Sequence, residues 1–132
     1  MSRAARLVLP CLAVLALSGC GSSSDSSSSP SSSSDISGTR WVGTETCILG
    51  SVSCLTGLPS PVTYEFQSGG ILRYTTIHGT FTTAVWSQSG NTVNINYNNG
   101  YNTSTGTISG SQMTGSGQNI VGYRYTYTVT RQ

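Results

Sequence analysis

From residue 38 onward the chain repeats one pattern. Apolar and polar side chains alternate every second residue in short runs such as VTYEF (62–66), TVNINY (92–97) and RYTYTVTR (124–131). Successive side chains of a β-strand point to opposite faces, so this period marks strands buried on one side. No stretch shows the apolar repeat of an amphipathic helix. Between the runs stand Ser68-Gly69-Gly70, Gly79, Ser89-Gly90-Asn91, Asn98-Asn99-Gly100 and Gly110-Ser111. Gly and Asn accept positive φ at little steric cost, which is the chemistry of hairpin turns. The expected strands are Thr39–Cys47, Val62–Gln67, Ile71–His78, Thr80–Ser87, Thr92–Tyr97, Tyr101–Ser109, Gln112–Gly117 and Gly122–Arg131.

Eight consecutive short strands form a meander, and a meander removes its exposed edges by closing on itself. The expected fold is therefore all-β, an eight-stranded antiparallel up-and-down barrel over residues 38–132. A two-sheet β-sandwich shares the same alternation and is the alternative. The register places Val62, Tyr64, Phe66, Val93, Ile95, Tyr97, Tyr123, Tyr125, Tyr127 and Val129 inward. Trp41 brings Gly43, Glu45 and Cys47 inward with it, and Ile71 brings Arg73, Thr75 and Ile77. At eight strands the interior either fills with side chains or holds one small ligand.

The N-terminal third has a different character. Arg3 and Arg6 precede Leu7–Leu17, an apolar run of 11 residues, too short to span a hydrocarbon core that needs about 20. A charged start and a short oily middle describe an export signal. The run ends in Leu17-Ser18-Gly19-Cys20, which resembles the lipobox of bacterial lipoproteins. That resemblance implies cleavage of residues 1–19 and acylation of Cys20, an anchor strengthened by about 0.8 kcal/mol per buried methylene. Gly21, where Asp would signal inner-membrane retention, implies an outer membrane. An ordinary secretory signal is the plainer alternative. Residues 21–37 contain 12 serines and one large apolar side chain, Ile36. Such a segment is expected to be a disordered tether, so residues 20–37 read as lipidated cysteine plus linker.

Charge excludes some functions. The chain has no lysine, and after removal of the signal four arginines balance Asp25, Asp35, Glu45 and Glu65. Nucleic-acid binding needs a basic face to neutralise phosphate, and this chain has none. Of the remaining cysteines, Cys47 and Cys54 are expected to pair in an exported domain, clamping the long connection Ile48–Pro61 and stabilising it by on the order of 2.5 kcal/mol. A metal site built from the two thiols and His78 lacks the paired spacing of zinc motifs. Neither a metal nor a cofactor is expected.

The start Gly38-Thr39-Arg40-Trp41 and the end Tyr125–Arg131, with SGNTVNINY and GTISGSQMTGSG between them, resemble the calycin barrels: lipocalins and their small bacterial lipocalin-like lipoprotein relatives. In that group a first-strand Trp lies across the barrel floor beneath an Arg from near the last strand. The resemblance implies those places for Trp41 and Arg131, although two residues separate Gly38 from Trp41 where the family usually has one. A guanidinium over an indole is worth about 0.5–2 kcal/mol; plain core for Trp41 and a solvated end for Arg131 is the other reading.

Catalytic chemistry is thin. His78 is the only imidazole, no G-x-S-x-G elbow occurs, and alternation puts Glu45 and Glu65 on opposite faces, against a carboxylate pair. No enzyme is expected. A carboxylate inside a small barrel needs a partner, which makes Glu45 with Arg73 a candidate for orienting a ligand, while a solvated Glu45 at the rim is the bland reading. Tyr125 and Tyr127 are candidate ligand contacts or simple core. The leading expectation is a lipid-anchored envelope module binding a small apolar or amphipathic ligand. The alternative is a protein-interaction or inhibitor module using the loop 48–61.

Overall fold

The computed structural model describes residues 34–50 and 57–132. Eight strands appear in it: β1 Thr39–Leu49, β2 Ser60–Phe66, β3 Ile71–Thr76, β4 Gly79–Ser89, β5 Thr92–Tyr97, β6 Asn102–Ser109, β7 Gln112–Asn119 and β8 Arg124–Arg131. Each pairs antiparallel with the next, and β8 returns to β1, closing an up-and-down barrel. The sandwich alternative is excluded by that closure. Because β1 runs through Leu49 and β2 begins at Ser60, the connection expected at Ile48–Pro61 contracts to 50–59. The signal segment, Cys20, most of the serine tract and Cys54 lie outside the described residues.

The interior is solid. Trp41, Tyr64, Phe66, Leu72, Val93, Ile95, Tyr97, Met113, Tyr125, Tyr127 and Val129 are each at most 5% exposed. Rings meet edge to face, Tyr64 with Tyr127 at 5.5 Å and Phe66 with Trp86 at 5.2 Å, a geometry worth about 0.5–1.5 kcal/mol per pair beyond burial. Small residues on β6 and β7 make the rings fit. Gly115 pairs with Tyr127 and Gly117 with Tyr125, and a methyl group on either glycine would come within 2.4 Å of the opposing ring. The tyrosines of β8 thus lie flat across a strip of backbone. Dense filling has a polar cost, since among the described residues the hydroxyls of Tyr64, Ser104 and Tyr127 are buried with no well-aligned hydrogen bond, although Tyr64 lies beside Tyr97 and Tyr127 beside Ser104. Leaving such a group unsatisfied costs about 1–3 kcal/mol.

Two expectations need correction. Arg73 does not face inward. The turn at Ser68–Gly70 pairs Phe66 with Leu72, Glu65 with Arg73 and Tyr64 with Tyr74, and opposed residues share a face. Leu72 is therefore fully buried while Ile71 is exposed. Arg73 lies outside, its Nη1 donating to Glu65 Oε2 at 2.7 Å, with Arg40 Nε 3.8 Å from Oε1. These groups are substantially solvent-exposed, so each pair contributes roughly 0.2–1 kcal/mol.

Ile36, assigned to the tether by composition, is the second correction. It is 1% exposed and belongs to the core. Its backbone N–H donates to Gln88 Oε1 at 3.2 Å, its carbonyl accepts from the Thr39 N–H at 3.1 Å, and Gln88 Nε2 donates to the Ser34 carbonyl. The folded unit begins before Gly38. One isoleucine among serines carries no periodic signal, but a barrel end needs one apolar stopper.

Candidate binding site at the open end

The two ends of the barrel are built differently. At one end lie the start of β1 and the ends of β2, β4, β6 and β8. Trp41 donates from Nε1 to Thr39 Oγ1 at 2.8 Å, and Ile36 covers the end. Trp86 donates to the carbonyls of Gln67 and Ile71, both at 3.1 Å, pinning the β2–β3 turn. Arg131 stands opposite Trp41 in the β1–β8 register. Its side chain is exposed, and Ile36 is what closes this end.

The other end carries the connection 50–59 and the β3–β4, β5–β6 and β7–β8 turns. Glu45 sits just inside it, opposite Ser60 on β2 and Tyr127 on β8, above the tyrosine layer. Alternation from Trp41 thus placed Glu45 on the inward face correctly. Its partner is not Arg73 but Tyr123, whose hydroxyl donates to Glu45 Oε1 at 3.1 Å. Burial raises the carboxyl above the ordinary carboxylate range, against smaller opposing effects of the Tyr123 hydrogen bond and the nearby His78. The Tyr123 phenol is pushed up to about 12, by burial first and then by the charge and hydrogen bond of Glu45.

A hollow of about 90 Å³ opens here, lined by Glu45, Cys47, Ser60, Tyr123, His78, Leu58 and Ile77. Tyr125 and Tyr127, the other candidate contacts, lie beneath it as core. The Tyr125 hydroxyl donates to Asn102 Oδ1 at 3.2 Å, and burial pushes the Tyr127 phenol up to about 12. Cys47 lines the hollow, while its expected partner Cys54 lies outside the described residues.

Around the hollow the rim is apolar. Ile48, Leu49, Leu58, Ile77, Ile120 and Val121 are each 55–75% exposed, and together they come from three separate segments at this end plus the end of β1. Single exposed apolar residues need no explanation, whereas a cluster marks a contact surface. No local sequence signal announced the rim or the Glu45–Tyr123 contact. These residues are brought together by closure, Glu45 and Tyr123 being 78 positions apart.

Two larger hollows, about 450 and 400 Å³, lie along the outer wall. Their linings are dominated by outward Thr, Ser, Asn and Gln side chains such as Asn94, Asn96, Thr103, Thr105 and Ser116. Their floors are formed by the inward residues Ser104, Ile95 and Tyr125, which are themselves buried. Across this wall Thr44, Thr128, Thr114, Thr107 and Thr92 stand side by side in one cross-strand row. No family model, no curated protein and no solved structure matches the chain.

Proposed function

We propose that the protein is a lipid-anchored module of the bacterial envelope that works without catalysis, by binding a partner protein through the open end of its barrel. The leader, the lipobox-like Leu17–Cys20 and the serine tract support acylation at Cys20 and an outer-membrane address, as in small lipocalin-like lipoproteins. A disulfide between Cys47 and Cys54 would stiffen the connection beside the rim. The carrying observation is the filled interior. Ligand pockets typically offer about 300–1,000 Å³ of largely apolar space, and here that space is occupied by Trp41, Tyr64, Phe66, Tyr97, Tyr125 and Tyr127.

Orientation supports the same reading. Ser34 and Ile36 dock at the closed end, so a chain running back to Cys20 leaves from the pole opposite the rim. Entry of the chain at that pole favours presentation of the apolar rim away from an anchoring surface. The hollow at Glu45 favours one second reading, a small amphipathic cation held at the mouth.

Two measurements test the proposal. Cys20→Ser should move the protein from the membrane to the soluble fraction with its β-sheet circular dichroism unchanged; retention in the membrane defeats the anchor. A photo-crosslinking residue at Ile77 or Ile120 should trap a discrete protein partner in intact cells, whereas the same residue at Thr107 on the outer wall should not. Equal trapping at both places defeats the rim as the contact surface, and a small molecule seen by native mass spectrometry instead of a protein favours the second reading.

A further inference from the structure

We propose that the hollow at Glu45 is a socket for one primary ammonium group, supplied by a lysine side chain of the partner protein; this rests on the contact reading above. Among the described residues the Glu45 carboxylate is the only acidic side chain lining the hollow, and no arginine lines it. Both arginines near the first strands, Arg40 and Arg73, are engaged by Glu65 on the outer wall. Among the described residues, the groups facing Glu45 in the barrel end are the Tyr123 hydroxyl, Ser60, His78 and Cys47, with the phenols of Tyr64, Tyr74 and Tyr125 close enough to feel its charge. A carboxylate accepts up to about four hydrogen bonds, and from the described residues Glu45 receives one, at Oε1.

Size and geometry select the cation. About 90 Å³ is roughly three times the volume a water molecule occupies in the liquid, room for an ammonium and the last methylenes of a side chain. A planar guanidinium needs room for its fork across both carboxylate oxygens, and a hollow of about 90 Å³ that already holds the Tyr123 hydroxyl against Oε1 crowds that approach. A compact ammonium needs only Oε2, and Ser60 offers a further oxygen. The apolar flank of Leu58 and Ile77 suits the methylene stem, which lies along apolar surface while its head reaches a polar partner. The occupant comes from outside, because the chain contains no lysine and a second copy therefore has none to offer.

The test uses the full chain with n-butylammonium chloride as probe, n-butanol as its neutral counterpart and propylguanidinium as the rival cation, read by amide chemical shifts. Butylammonium should give saturable shifts at Glu45, Ser60, His78 and Tyr123. Its affinity should fall about tenfold or more in Glu45→Gln and also on acidification through the Glu45 titration. The spectrum of Glu45→Gln away from the mouth reports whether the barrel is intact. Equal shifts with butanol, tighter binding of propylguanidinium, or unchanged binding by Glu45→Gln overturns the socket.

Rim cross-linking to envelope extract with acetylated amines separates the two proposals. Cross-links lost on acetylation support the partner lysine. Cross-links that survive acetylation overturn the lysine and leave the contact reading standing; absence of rim cross-links with either extract overturns both.

Discussion

The two poles of this barrel start from the same scaffold and end in opposite chemistry. At the closed pole every inward position is apolar or internally hydrogen-bonded: Trp41 to Thr39, Trp86 to two turn carbonyls, Ile36 as stopper. At the open pole a carboxylate sits in place of a stopper, held by one phenol and ringed by apolar side chains exposed to solvent. The difference teaches that the fold's stability is invested at one end, leaving the other free to carry groups that do not favour folding. A half-buried carboxylate with one hydrogen bond and an exposed isoleucine are both tolerated when the core elsewhere is dense.

That contrast can be broken by mutation. Trp41→Ala should cost about 3–5 kcal/mol in urea unfolding, whereas Ile120→Ser at the rim should stay within about 0.5 kcal/mol; comparable losses would mean the poles do not differ. Ile36→Ala should cost about 2 kcal/mol, and no change in the midpoint would return Ile36 to the tether. Tyr64→Phe removes a buried hydroxyl that faces the Tyr97 hydroxyl without forming a well-aligned hydrogen bond and should raise stability by about 1 kcal/mol. A drop in stability would reveal a partner for that hydroxyl.

The smallest effect carries a sign. Burial raises the Glu45 pKa in the folded chain, so between the ordinary carboxylate pKa and the raised one the folded state binds more protons than the unfolded state. Stability then falls as pH rises through that window. Glu45→Gln removes this titration while keeping an acceptor for Tyr123. Its midpoint should exceed that of the parent chain at about pH 7 and converge with it at about pH 3. A variant less stable at neutral pH would show that the charged carboxylate stabilises the open end.

Much of the fold was legible because strand alternation is a local property. Tyr125, Tyr127 and Val129, or Val93, Ile95 and Tyr97, announce their face within six residues, and the Asn-Asn-Gly and Gly-Gly turns announce where each strand stops. The segment ILRYTTI (71–77) did not, since apolar residues occupy both parities. There the partner strand decides, and the signal lay in Glu65 and Arg73, equally spaced about Gly69 and opposite in charge. Of the candidate site, Glu45 was readable by its parity with Trp41. Its actual neighbours Tyr123, Ser60, His78 and Ile77 were not, because they come from separate strands and turns.

By itself the sequence determined the strand number, the turn positions and the inward faces of most strands, since a two-residue period and the φ tolerance of Gly and Asn act over a few bonds. Only the tertiary structure decided the register of β3, the recruitment of Ile36 and the meeting of Glu45 with Tyr123. Each of these depends on closing β8 onto β1 or on the facing strand across a turn, and contacts between distant residues follow from closure, not from local preference.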